Sequence, residues 1–180
     1  MAHLVEGGLD FDQALELVRS SSLYTCHTPV PAGHDYFDEA LFTKYMGHYA
    51  DKLHISHQEL IDLGRENPGS HEKFSMSVLA LNTCQEANGV SKLHGQVSRE
   101  MFAPVWKGYL SEELHVGYVT NGVHLPTWMA SPWTDLMEKS VGEGILRDQD
   151  SLELWDNVWH TPDKDVWERR LELKSRLIDY

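Results

Sequence analysis

The sequence predicts an α/β fold that is predominantly helical and has few strands of its own. Three observations carry that prediction. Apolar residues recur with helical spacing through most of the chain. Only two stretches, Ser22–Thr28 and Leu114–Thr120, are β-prone. Each of these runs into a chain breaker, Pro29 in one case and Asn121-Gly122 in the other.

The elements follow in order. In "DFDQALELVRSS", Asp10 and Gln13 have the spacing of a capping box, and Phe11, Ala14, Leu15 and Val18 share one face, so the segment is a helix. "SLYTCHT" is read as a buried strand ended by Pro29, and "PVPAGHDYF" as a loop that breaks regular structure. "DEALFTKYMGHYADKL" is a helix weakened at Gly47. "SHQELIDLG" is a short helix with Ser56 and Glu59 at its cap and Gly64 at its stop. "ENPGSHEK" is a polar surface loop. "FSMSVLALNTCQEA" reads as a strongly apolar helix that Asn88-Gly89 interrupts, and "VSKLHGQVSREMFAPVW" resumes as helix. "LHVGYVT" is the second strand. "LPTWMASPWTDLMEKSV" is loop and then helix. The tail is a helix with Thr161 as N-cap and Pro162 at its first position, carrying Trp167, Leu171, Lys174 and Ile178 on one face. Two isolated strands cannot form a sheet alone, so the expectation is that they need partner strands from outside this chain.

Composition narrows the function classes. The chain has 180 residues, 41% of them hydrophobic, and a net charge of −13. That acidity argues against nucleic acid and anionic membranes as partners, because phosphate backbones are bound through Lys and Arg. Cys26 and Cys84 form no CxxC pair, which fits a reducing compartment. Met1–Gln13 lacks the apolar run of a signal peptide, and no window reaches the ~20 apolar residues of a membrane helix. A cytoplasmic location is the expectation.

Three stretches gather His, Asn and Gly: "HTPVPAGHD" from His27, "ANGVSKLHG" from Ala87 and "VTNGVHLPTW" from Val119. His27 lies at the end of the first predicted strand, where α/β folds present ligand-binding groups. His27, His34 and Asp35 would be three metal ligands, but their spacing matches no zinc pattern; a structural loop with ordinary surface histidines and a sugar or polar-ligand site are the other readings. Gly89 permits a backbone turn, after which a restarting helix presents free N–H groups beside Lys92 and His94; a plain helix–helix corner with a satisfied core histidine is the other reading. Asn121-Gly122 has the form of a hairpin turn without a second strand to justify it, which leaves a ligand contact or a plain turn. Neutral polar groups together with Tyr and Trp faces suit a carbohydrate better than a phosphate or a metal. No Ser-His-Asp grouping, Gly-rich phosphate loop or glycosidase carboxylate pair is evident.

In this order, "HTPVPAGHD", "NGVSKLHGQVSR" and "GYVTNGVHLPTW" resemble the α-glucan (glycogen/maltodextrin) phosphorylases, in their bacterial and archaeal form. The likeness extends over essentially the whole chain. It implies part of the N-terminal Rossmann-like half of a two-domain glycosyltransferase, residues 1–130 belonging to the glucan-binding half and 131–180 forming a helical connector. The implied reaction is reversible transfer of a terminal α-1,4-glucosyl unit to phosphate, giving glucose 1-phosphate. Pyridoxal phosphate is the implied cofactor, held in the other half and not by this chain. Carried over, His27 is the catalytic-site histidine on the 6-hydroxyl side of the glucosyl unit. Asn121 contacts the same hydroxyl, Val90 packs on the sugar, and Asn88 and His94 stand behind them. His34 and Asp35 are given a loop-structuring role. Cys26, Gln85 and Glu86 depart from the family's usual residues. The family's earlier acidic-His motif, its later phosphate-binding basic motifs and its cofactor lysine are not found. The expectation is therefore an internal piece of a longer enzyme, inactive alone and prone to self-association. Two alternatives stand beside it: a non-catalytic helical module that binds glucan or protein, and a small metal hydrolase using His27, His34 and Asp35.

Overall fold

The computed structural model describes residues 1–180. It contains two compact units, Met1–Asn121 and Gly122–Tyr180.

The first unit begins with helices α1 (Ala2–Glu6) and α2 (Phe11–Ser20). The Asp10/Gln13 capping box closes in both directions, and this fixes where α2 starts. Strand β1 (Leu23–Thr25) follows, then a 3₁₀ turn at Pro31–Gly33 and a two-residue strand β2 (Tyr36–Phe37). Helices α3 (Glu39–Met46) and α4 (Tyr49–Leu53) are separated at Gly47 and His48, as the glycine foreshadows. Helix α5 (His57–Asp62) carries the Ser56/Glu59 capping box. Strand β3 (Phe74–Ser75) pairs antiparallel with β2, so the Pro-rich loop does contain regular structure near its end. Helix α6 (Met76–Thr83) is followed by β4 (Glu86–Gly89), α7 (Lys92–Phe102) and β5 (Val116–Tyr118).

Strand β4 overturns two expectations. The apolar helix predicted to run to Ala87 stops at Thr83, and Glu86–Gly89 is a strand. It is moreover the middle strand of a parallel sheet ordered β1-β4-β5, so the two β-prone stretches find their partner within this chain. Ala, Asn and Gly are poor strand formers. Pairing on both edges and burial of Ala87, Asn88 and Gly89 override that preference. Strand β1 lies at the edge of the sheet and is not buried throughout: Leu23 is 62% exposed, and only Cys26, just past the strand, is sealed.

Two apolar clusters fill the unit. One joins Val5, Ala14, Phe42, Leu53, Ile61 and Phe74 among the helices. The other joins Cys26, Leu81, Ala87, Phe102, Leu114 and Val116 around the parallel sheet.

The second unit holds α8 (Leu125–Trp128), α9 (Ser131–Ser140), α10 (Leu152–Asp156) and α11 (Asp163–Ile178). Thr161 does not cap α11. Pro162 occupies the N-cap position, the helix begins at Asp163, and Thr161 Oγ1 is buried without a partner. Trp167, Leu171 and Ile178 share a face of α11 as predicted, but that face is exposed.

Candidate functional site

The three His/Asn/Gly stretches each lie at the end of a strand of the parallel sheet: His27 comes just after β1, Ala87–Gly89 close β4 with Val90 directly after, and Asn121 comes shortly after β5. Parallel pairing brings their carboxyl ends to one edge, where open α/β sheets bind ligands. Backbone bonds extend past the assigned strands. The Cys26 N–H donates to the Asn88 carbonyl (2.9 Å), Val119 to Gly89 (2.9 Å) and Asn121 to Val90 (3.1 Å). With β1 and β5 two strand spacings apart, the edge spans roughly 10 Å.

Glycine makes the middle of this edge possible. A Cβ on Gly89 would lie 2.7 Å from the Gly95 backbone nitrogen, and one on Gly95 would lie 2.8 Å from the Gly117 carbonyl oxygen. The first turn of α7 therefore rests directly on the ends of β4 and β5. Ser91 caps that turn by accepting from the His94 N–H (3.1 Å). The Val90 N–H donates to His94 Nδ1 (3.1 Å), and His94 is buried. Asn88 is buried too, with its carboxamide committed within the protein. Its Oδ1 accepts from Thr25 Oγ1 and its Nδ2 donates to the Gly89 carbonyl, both at 3.1 Å. His27 and Asn121, by contrast, are exposed with side chains free of protein hydrogen bonds, and Val90 is half-buried.

The structure thus joins Asn88, Val90, His94 and Asn121 in one hydrogen-bonded edge. His27 is not bonded to any of them. It lines a cavity of about 400 Å³ together with Tyr24, Thr28, His34, Asp35 and Ser77. His34 is the organiser there. Its Nε2 donates to the Thr28 carbonyl (3.2 Å), which leaves Nδ1 to accept from Ser77 Oγ (2.7 Å), and Ser77 Oγ accepts from the Tyr24 hydroxyl (3.1 Å). Burial raises the Tyr24 phenol above its ordinary value. The Phe102 ring meets the His34 ring edge-on at 5.7 Å. His34 is therefore a buried strut of the loop and not a surface residue. No group of three or more His, Cys, Asp or Glu side chains converges as a metal site, so His27, His34 and Asp35 are not gathered as ligands.

Thr25 and Ser77 carry no local signal of their roles in the sequence. Only Ser91, three residues before His94 with a helix following, carries a cap signal that could have been read. The residues do not fit a pyridoxal cofactor: every lysine of the chain is exposed and none lines the His27 cavity, whereas a Schiff-base lysine sits desolvated in a pocket.

A carbohydrate phosphorylase family model matches residues 1–179. The chain is 38% identical over 180 residues to a maltodextrin phosphorylase of Thermococcus litoralis, an alignment covering 99% of this chain and 21% of the relative. It is 38% identical over 182 residues to a glycogen phosphorylase of Mycobacterium tuberculosis, covering 98% and 20%. A glycogen phosphorylase of Aquifex aeolicus is 32% identical over 177 residues, covering 98% and 25%. The chain spans about a fifth to a quarter of the length of these relatives.

Proposed function

The chain belongs to the carbohydrate phosphorylase family, and from that premise we propose that it forms part of the glucosyl pocket of an α-glucan phosphorylase, within the N-terminal Rossmann-like half of that enzyme. One observation carries the reading: β1, β4 and β5 run parallel and end side by side, each with one of the three His/Asn/Gly turns at its end. The exposed His27 imidazole and Asn121 carboxamide hold the 6-hydroxyl region of the terminal glucose, and Val90 packs against the ring. Both polar side chains are free of protein partners, so a sugar hydroxyl can satisfy them. Asn88 and His94 stand behind, spent on the backbone.

The reaction is phosphorolysis of a terminal α-1,4-linked glucosyl unit to glucose 1-phosphate. Pyridoxal phosphate would be held by residues other than these and, when bound, would supply acid–base chemistry through its phosphate. Alone, the chain releases no glucose 1-phosphate.

The test is a titration of ¹⁵N-labelled chain with maltoheptaose, with a β-linked glucan as control. Amide shifts are expected at Thr28, Val90 and Asn121 for the α-linked glucan only. Asn121→Ala should weaken the response about tenfold, the cost of one buried hydroxyl contact. Shifts confined to other regions, or an unaltered response in Asn121→Ala, would overturn the pocket.

The exposure of Trp128, Trp159 and Trp167 favours a second reading, a module that binds protein or a second copy of itself through apolar surface. Self-association of a chain unresponsive to maltoheptaose would select it.

A further inference from the structure

The peptide joining Gly89 to Val90 lies at the centre of the sheet edge and is held from both sides. Its N–H donates to His94 Nδ1 (3.1 Å). Its carbonyl accepts from the Val119 N–H (2.9 Å) and from Asn88 Nδ2 (3.1 Å). A peptide group is planar, so fixing the N–H also fixes the carbonyl on its far side. Gly89 has no Cβ to resist rotation of that plane, so the orientation has to come from partners. One residue on, the Val90 carbonyl accepts the Asn121 N–H (3.1 Å). A connected path therefore runs from the His94 ring, through the Gly89–Val90 peptide, to the Val119–Asn121 segment.

The backbone at His94 is held in place. Gly95, its neighbour, lies in backbone contact with β5: a Cβ there would sit 2.8 Å from the Gly117 oxygen and 2.9 Å from Tyr118 Cβ. Because Nδ1 accepts, the ring is the neutral tautomer with its proton on Nε2. That Nε2 is buried and has no partner. An apolar side chain would spare the unpaired Nε2 but would strip the Val90 N–H of its acceptor, so the imidazole is explained by the bond at Nδ1 and not by packing alone.

We infer that His94 is a positioning residue: through Nδ1 it sets the Gly89–Val90 peptide plane, and thereby the placement of Val90 and Asn121, without touching the sugar. This rests on the pocket reading for its functional consequence, but not for its geometry.

Three substitutions test it in the whole chain. His94→Asn puts an acceptor oxygen at the Nδ1 position. His94→Gln puts one nearer the Nε2 position, and His94→Ala supplies none. The readouts are amide hydrogen exchange at Val90 and Val119, referred to Ala87 in the same sheet, and maltoheptaose affinity. Exchange at Val90 and Val119 should accelerate about tenfold in His94→Ala and His94→Gln, the factor expected for one lost hydrogen bond. His94→Asn should stay near wild type. Affinity should follow the same order. Unchanged exchange in His94→Ala would overturn the inference, as would a His94→Asn variant that is as perturbed as His94→Ala or fails to fold. A wild-type chain blind to maltoheptaose would sink the pocket alone, since the exchange order still decides what His94 positions.

Discussion

Ile61 and Ile145 are both sealed from solvent, but they stand in different company. Ile61 belongs to a cluster that draws buried side chains from α1 through β3, with Phe42 and Phe74 stacked at 4.2 Å in its middle. In Gly122–Tyr180, the buried apolar side chains besides Ile145 are Pro132, Leu136 and Val141, and the 16 residues of α11 add none. That helix is laced with charge pairs instead: Lys164 with Glu168, and Glu172 with both Arg169 and Arg176. The two units show that a long, well-charged helix does not substitute for burial. Exposed ion pairs each contribute a few tenths of a kcal/mol, whereas one sealed aromatic contributes several times more.

The largest effect should come from Phe74→Ala, which removes a ring 2% exposed and leaves a void. It should cost about 3–5 kcal/mol, read as a fall in the urea midpoint of the first unit. Trp167→Ala, removing a larger ring from α11, should stay within about 0.5 kcal/mol. Equal costs would break the comparison and reveal burial of α11 in solution.

Acid should separate the units next. Arg65 is buried, and it bonds Glu39 (2.7 Å) and the Glu72 carbonyl (2.8 Å) with Asp62 at 3.6 Å. The hydrogen bond from Arg65 and its charge hold the Glu39 carboxyl below its ordinary value. A depressed carboxylate contributes stability that is complete above its unfolded value and is lost as pH falls through the folded one. In the other unit, Asp148 is shifted upward by its hydrogen bond with Asp150, so acid works in the opposite, stabilising sense there. Amide exchange at Ile61 should therefore accelerate below the carboxylate range before exchange at Ile145 does. The reverse order would show that the Arg65 pairs do not hold the first unit together.

The smallest effect sharpens the point. Glu172→Ala breaks two ion pairs of α11 at once, each 2.6 Å long. It should lower the stability of the second unit by a few tenths of a kcal/mol, and the difference should vanish in high salt. A loss of several kcal/mol would mean that the charge network, and not burial, carries that helix.

Much of the fold was legible because it is local. The Asp10/Gln13 and Ser56/Glu59 boxes, the break at Gly47 and the restart of helix before His94 depend on residues within a turn of one another. The three His/Asn/Gly stretches stand out by composition alone, and their order marks the family. What local signals missed was β4. Its Glu-Ala-Asn-Gly reads as a helix end, since no pattern within it asks for a strand. The role of His34 was hidden similarly: nothing near it in sequence announces Ser77, its partner 43 residues away.

The sequence by itself determined which segments could be helix, where they would be capped, and which turns were chemically unusual, because propensity and capping act over a few residues. Only the tertiary structure decided that the turns share one edge. A parallel strand has no hydrogen-bond partner within its own segment, so Glu86–Gly89 becomes a strand only when β1 and β5 close on both its sides. Gly89 and Gly95 let α7 approach closely enough to hold that edge in place.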